Sequence, residues 1–199
     1  MVLRGMAKWP DVPAVYGWLT LDCRGNWLIK GETIANPAVT SFIGRNYERD
    51  GEGRWFFQNG PQRVFVSLDY TPLVYRAVNA DDAPLAIEAH TGTPATSLSG
   101  AWIDDNGGLL LETELGVGIA HDHDLEKIVP AFIDANGNAL PEDALDDLMQ
   151  MLQEGRPAPV WLRYGESNVK VDRLRSGDVP QRFGFDARPV QRDSETGGA

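Results

Sequence analysis

The chain has 199 residues, of which 42% are hydrophobic and 24% are charged, as in ordinary globular domains. Its formal net charge of −11 would repel a phosphate backbone, so the composition argues against nucleic-acid binding. The single cysteine, Cys23, excludes an intrachain disulfide and a CxxC motif, which favours a reducing compartment.

The N-terminal residues 1–13 lack the apolar stretch of a signal peptide. The apolar runs elsewhere are the size of strands and fall well short of the roughly 18 residues that cross a membrane as a helix. We therefore expect a soluble, cytoplasmic protein of bacterial type that binds no membrane.

The first half of the chain predicts short strands with glycine turns between them, at residues 16–22, 26–30, 54–58, 63–69 and 73–78. Asn59-Gly60-Pro61 supplies the tight turn of the second hairpin. An amphipathic helix is predicted over residues 37–47, because Asn36 stands at an N-cap position and Pro37 in the first turn.

The second half predicts a hairpin, two helices and two strands, at residues 102–113, 122–129, 141–155, 159–164 and 168–174. Residues 79–99 show no sustained period and predict a long connection, and Gly116-Val117-Gly118 reads as a flexible segment.

These elements predict an α+β fold, in which short antiparallel hairpins form one or two small sheets packed with two or three helices. We expect a single globular domain over residues 1–188, with sub-halves at 9–78 and 100–188, and a flexible tail at 189–199. A recurring glycine–tryptophan pattern leaves an internal structural repeat open, with copies at Gly25-Asn26-Trp27, Gly53-Arg54-Trp55 and Gly100-Ala101-Trp102.

The first 80 residues contain Gly17-Trp18-Leu19, Gly31-Glu32, the helix after Pro37 and Arg54-Trp55-Phe56. With these motifs the chain resembles an uncharacterised proteobacterial family, a domain of unknown function. It is also similar to a second such family, whose members share a Gly-x-Trp hairpin before a helix. The repeated-motif α+β fold of that family suggested a signalling or regulatory role. The resemblance implies a fold and transfers no catalytic residue.

His121-Asp122-His123-Asp124 is the sharpest local motif of the sequence. In an extended strand, alternate side chains point to the same side, so His121 and His123, with Asp124 as a carboxylate beside them, could bind Zn²⁺ and support a metal-dependent hydrolase. As a helix start, the same motif is explained by capping at Asp122 and by the helix dipole at Asp124, and no cofactor is then expected.

A second polar cluster lies at the tip of the predicted hairpin, with Gln58, Asn59, Gln62 and Arg63. Arg45, at the end of the preceding helix, could converge on it. Arg63 could hold a carboxylate or phosphate while the amides recognise a polar ligand. A solvated turn needs the same residue types, so both interpretations stay open.

No nucleophile elbow, phosphate loop or dinucleotide fingerprint is present in the sequence, and no catalytic residue is assigned. The leading hypothesis is therefore a non-enzymatic regulatory or binding module for a small polar ligand or another protein. A further hypothesis is a homodimer whose interface is formed by exposed aromatic residues, Phe57 among them.

Overall fold

The structure is a computed structural model that describes residues 13–78 and 85–191. Of these residues, 41% lie in strands and 22% in helices. The chain forms two compact units: residues 13–72 with 184–191, and residues 73–183 without the undescribed 79–84. Within the described ranges, no helix has the length and the apolar character needed to cross a membrane.

The first unit contains a six-stranded sheet and one helix, α1 (Pro37–Arg45). Its strands are β1 (Ala14–Leu21), β2 (Trp27–Ile29), β3 (Glu32–Thr33), β4 (Tyr47–Arg49), β5 (Trp55–Asn59) and β6 (Gln62–Leu68). They lie in the order β3-β2-β1-β6-β5-β4. The central β1–β6 pair is parallel, and the other pairs are antiparallel.

Helix α1 begins where the sequence predicts. The Asn36 side chain accepts a hydrogen bond from the Ala38 N–H at 2.9 Å, which satisfies one of the free donors of the first turn. Val39 and Ile43 are buried against the sheet because they share one face of the helix. The packing of this face on the sheet holds the nine-residue helix in place.

The second unit contains an eight-stranded sheet in the order β12-β13-β14-β9-β10-β11-β7-β8. Its strands are β7 (Leu73–Val78), β8 (Ala86–Ala89), β9 (Leu98–Ile103), β10 (Leu109–Thr113), β11 (Gly116–Ala120), β12 (Phe132–Ile133), β13 (Trp161–Tyr164) and β14 (Ser167–Arg173). Its helices are α2 (Leu125–Ile128), α3 (Glu142–Gln153) and α4 (Val179–Phe183), with 3₁₀ turns at Asp122–Asp124, Val129–Ala131 and Ser176–Asp178.

One construction recurs in the tight turns that start at Asp22, Asp50, Asp104 and Asp134. In each, the aspartate Oδ1 accepts hydrogen bonds from the backbone N–H groups two and four residues later. At Asp134 these bonds come from Asn136 and Asn138 at 2.8 and 2.9 Å, and Gly137 between them has a φ of 84°. We call these four turns the aspartate turns; the carboxylate fixes the loop where glycine permits the left-handed backbone.

The predicted fold class was wrong. The chain is mostly β, and its sheets are large and mixed rather than small and built of antiparallel hairpins. Three parallel pairs, β1–β6, β7–β11 and β9–β14, join the hairpins into the sheets of six and eight strands. A hairpin is visible in the sequence because its turn residues are local, whereas a parallel pair joins distant segments and leaves no local signal.

Several of the individual strands and helices were predicted correctly. The predicted hairpins β1–β2, β5–β6 and β9–β10 are confirmed, as are the helices at α1 and α3. The predicted connection at 79–99 instead contains β8 and the start of β9, and its residues 79–84 lie outside the described ranges, as does the predicted tail from 192.

The segment predicted to be flexible, Gly116-Val117-Gly118, is part of strand β11. A Cβ atom at Gly118 would lie 2.7 Å from Cε2 of Tyr75 and 2.8 Å from the Leu73 carbonyl oxygen. Gly118 therefore makes room for a buried aromatic ring on the neighbouring strand, and its small size serves packing rather than flexibility.

Candidate functional site

The His121–Asp124 segment turns sharply at the end of β11. The His121 N–H donates to the Tyr75 carbonyl at 2.8 Å, which extends the pairing with β7 by one residue. The chain then enters the 3₁₀ turn at Asp122–Asp124, and the Asp124 N–H donates to the His121 carbonyl at 3.0 Å. The side chains of three successive residues, His121, Asp122 and His123, are thereby gathered around one turn.

The three side chains offer ligand atoms at distances suited to one metal ion. His121 Nδ1 lies 3.1 Å from Asp122 Oδ1, and His123 Nε2 lies 4.0 Å from the same oxygen. All three ligand atoms lie within 4.8 Å of one another. In a tetrahedral zinc site with bonds of about 2.1 Å, ligand atoms are roughly 3.4 Å apart. A small rotation of the His123 side chain, which is 70% exposed, would close the difference.

Burial prepares His121 to act as a ligand. Its side chain is only 8% exposed, and this burial lowers its pKa below the usual value, with a further lowering by the positive charge of Arg76. A metal ion binds only neutral imidazole, so a lowered pKa keeps the ring ready to bind at neutral pH.

The turn retains its cap if a metal takes the His121 ring nitrogen. The His123 N–H donates to His121 Nδ1 at 3.1 Å and also to Asp122 Oδ1 at 3.0 Å. A carboxylate oxygen has a second lone pair, so Asp122 can keep this hydrogen bond while it binds an ion. Metal binding therefore does not require the turn to open.

Asp124 was predicted as a ligand, and the structure gives both of its oxygens other partners. Oδ2 accepts from Arg76 Nε at 2.5 Å, and Oδ1 accepts from Lys127 Nζ at 2.7 Å. Burial alone would raise the pKa of Asp124, but the hydrogen bonds from these two cations lower it to about 2. Asp122, which was not assigned as a ligand, takes the carboxylate position; its place between the two histidines was the available signal.

The hairpin tip does not gather its polar side chains in the same way. The β5–β6 register pairs Gln58 with Arg63 and Asn59 with Gln62. Because successive side chains of a strand point to opposite faces, Gln58 and Arg63 share one face of the sheet. Asn59 and Gln62 share the other face, on which Phe57 packs against α1. The predicted ligand-binding residues are thus divided between two faces.

The charged and amide groups of the tip also serve local contacts. Gln58 Nε2 donates to the Gly60 carbonyl at 2.6 Å, within the turn itself. The Arg63 guanidinium lies 4.7 Å from the centre of the Phe56 ring, and Arg45 donates to Ser41 Oγ at 2.5 Å. These contacts explain the residue types without a ligand.

Phe57, which the homodimer hypothesis treated as an exposed aromatic, is completely buried. Its ring meets Phe42 edge-to-face, with 5.5 Å between centroids, under helix α1. The prediction of its exposure was wrong, because α1 covers the face of β5 on which Phe57 lies.

The fold and the turn define a mostly β protein of two compact units, with a three-residue cluster of imidazole and carboxylate ligands in the second unit. Over residues 1–190 the chain matches the family model DUF2944, whose description reads "Protein of unknown function (DUF2946)". The chain therefore belongs to this family. The prediction of an uncharacterised domain is confirmed, whereas the similarity to a repeated-motif family stays a prediction.

Two crystal structures of DUF1285 family proteins are similar to the chain. The protein from Silicibacter pomeroyi DSS-3 is 14% identical with a TM-score of 0.47, over 66% of this chain and 84% of that one. The protein from Shewanella baltica OS155 is 18% identical with a TM-score of 0.41, over 57% of this chain and 88% of that one. No curated protein matches the chain.

Proposed function

We propose that the protein is a non-enzymatic binding module for a divalent transition-metal ion, held by His121, Asp122 and His123. The observation that carries the proposal is the placement of the three ligand atoms within 4.8 Å of one another. Two imidazole nitrogens and one carboxylate oxygen are donors that suit Zn²⁺, and they also accept Cu²⁺ and Ni²⁺.

The exposure of the ligands supports reversible binding. His121 is buried and gives the site a fixed anchor, whereas the side chains of Asp122 and His123 are 49% and 70% exposed. An ion bound here would stay in contact with water, so it could enter and leave without opening the fold. Catalytic centres gain much of their effect from excluding water, and this exposure therefore favours binding over catalysis.

A metal-dependent hydrolase is the second candidate function, and the number of ligands favours it. Three protein ligands leave one tetrahedral position for water, as in catalytic zinc sites, where the ion lowers the pKa of the bound water. The two candidates share the ion and differ in what happens at the open position. Turnover of p-nitrophenyl phosphate by Zn²⁺-loaded protein, lost in Asp122→Asn, would establish the hydrolase.

The test of the proposal is a competition titration of Zn²⁺ against a chromophoric chelator at neutral pH. We expect one equivalent of Zn²⁺ in the unmodified protein. Removing one ligand in Asp122→Asn or His123→Gln should weaken binding at least about tenfold, or about 1.4 kcal/mol. Glu126→Gln is the matched control, because it removes an exposed acid of the same segment that the proposal leaves unused.

Two results would overturn the proposal. The first is a chain that binds no Zn²⁺, and the second is an affinity that stays the same in both ligand variants. If Glu126→Gln weakened binding as strongly as Asp122→Asn, the ion would be held by general negative charge rather than by the three ligands.

A further inference from the structure

Two cations stand beside the proposed metal site and are held by one buried carboxylate. Arg76 on β7 and Lys127 in α2 bind opposite oxygens of Asp124. Their side chains remain 43% and 53% exposed, whereas that of Asp124 is 3% exposed. The arrangement fixes two flexible cationic side chains on a solvent-facing surface, at a defined position.

Backbone contacts place these cations next to the turn at residues 121–124, which we call the ligand turn. The His121 N–H binds the Tyr75 carbonyl, so His121 lies beside the β7 segment that carries Arg76. The Asp124 N–H binds the His121 carbonyl at 3.0 Å, which joins the carboxylate that holds both cations to the turn that holds the ligands.

The charges of this region favour an anion once a metal is bound. Arg76 and Lys127 share the carboxylate of Asp124, and β8 places Glu88 directly opposite Arg76, so these four groups together carry no net charge. A divalent ion held by Asp122 would add one net positive charge to this region. That positive charge would lie beside the half-exposed side chains of Arg76 and Lys127, on a chain whose formal net charge is −11, so an anion is attracted to this site in particular.

Hydrogen-bond donors are also available there. Arg76 uses Nε toward Asp124, so its two Nη groups are not part of that bond. Lys127 Nζ has three protons and donates to Asp124 at 2.7 Å and to the Ala77 carbonyl at 3.5 Å. Guanidinium and ammonium groups that are already positioned lose little freedom when they bind an oxyanion.

We infer that the metal-loaded site binds a small oxyanion, which takes the open position on the metal and is oriented by Arg76 and Lys127. The inference rests on the proposed function, since the metal supplies the net positive charge of the region. The ligand class is a compound with a phosphate or carboxylate group. Tetrahedral phosphate presents oxygens to the metal and to both cations, whereas a carboxylate has only two oxygens to share among them.

The experiment uses the full chain loaded with Co²⁺, an ion that commonly replaces Zn²⁺ and has visible d–d absorption, whereas Zn²⁺ is d¹⁰. Inorganic phosphate and acetate are titrated separately at neutral pH, with the visible spectrum and calorimetry as readouts. We expect phosphate to change the spectrum and to bind saturably, acetate to bind more weakly, and the metal-free protein to bind neither.

The variants test the cations without removing the metal ligands. Lys127→Gln removes one charge, and Arg76→Lys keeps an ion pair with Asp124 but loses the forked guanidinium. Each should weaken phosphate binding at least about fivefold while Co²⁺ affinity stays within about twofold. Lys170→Gln is the control, because Lys170 pairs with an exposed Asp172 on β14.

The outcomes separate this inference from the proposed function. Normal metal binding with no phosphate response, or with an unchanged response in both variants, overturns the inference and leaves the proposed function intact. In the latter case Arg76 and Lys127 serve only to neutralise Asp124. Failure of the chain to bind Co²⁺ or Zn²⁺ overturns both. A larger response to acetate than to phosphate would assign the site to carboxylates.

Discussion

The ligand turn at 121–124 and the hairpin tip at 58–63 are both dense runs of polar residues, yet their backbones use them differently. The hairpin tip is extended, so its neighbours alternate between two faces of the sheet. The ligand turn is a single 3₁₀ turn that follows an extended residue, and its successive side chains meet. Polar density along a sequence therefore indicates a site only where the backbone brings the side chains to one side.

The two regions also differ in how their charges are held. In the ligand turn, Asp124 is buried and binds two cations, while Asp122 beside it faces water. At the hairpin tip, Arg63 lies over an aromatic ring and Arg45 binds a hydroxyl of its own helix. The two carboxylates of the turn thus separate into a structural group, Asp124, and a half-exposed group, Asp122, which offers a ligand atom to the cluster.

The sharpest test of this separation is a pair of isosteric substitutions within the turn. Asp124→Asn should destabilise the protein by about 2–3 kcal/mol, because Arg76 and Lys127 lose a buried partner. Asp122→Asn should change the free energy of unfolding by less than about 0.5 kcal/mol. Urea denaturation measures both. Equal losses would mean that Asp122 is as structural as Asp124.

The free energy of unfolding at acid pH should also show the contribution of the Asp124 carboxylate. The pKa of Asp124 is lowered to about 2, so its contribution is fully present above the unfolded value of about 3.9 and is lost as the pH falls toward 2. Free energies of unfolding, measured by urea denaturation from pH 6 to pH 2.5, should converge for the unmodified protein and Asp124→Asn, from a difference of about 2–3 kcal/mol at pH 6. A gap that stays constant over this range would contradict the assignment.

At the hairpin tip the expected effects are smaller and independent of one another. Arg63→Ala should cost about 0.5–1 kcal/mol through loss of the cation–π contact with Phe56. Arg45→Ala should cost less than about 0.5 kcal/mol. Thermal denaturation of both single variants and the double variant measures whether the losses add. Strong coupling between the two residues would show that they form one site after all.

Several parts of this structure could be predicted from the sequence because their causes are local. Asn36 and Pro37 predict the start of α1, and Asn59-Gly60 predicts the turn of the β5–β6 hairpin. The order of the large sheets could not be predicted, since β1 pairs with β6 and β9 pairs with β14 across long stretches of chain.

The candidate site, too, could be predicted from the sequence only in part. The two histidines are visible as a motif, but the roles of the two aspartates depend on Arg76, which lies 48 residues before Asp124 in the sequence. No pattern within residues 121–124 indicates that Asp124 is already paired. Likewise, Gly118 looks flexible until Tyr75 is placed beside it.

The first aspartate turn makes the chain convenient to observe. The Asp22 carboxylate holds the backbone N–H groups of Arg24 and Asn26 at 2.9 and 2.8 Å, and the side chain of the residue next to Asp22 takes no part in this bonding. That residue is Cys23, the single cysteine of the chain, and it is exposed. A spin label or fluorophore attached there would sit on a hydrogen-bonded, solvent-facing point of the first unit, with no other thiol to compete for the reagent.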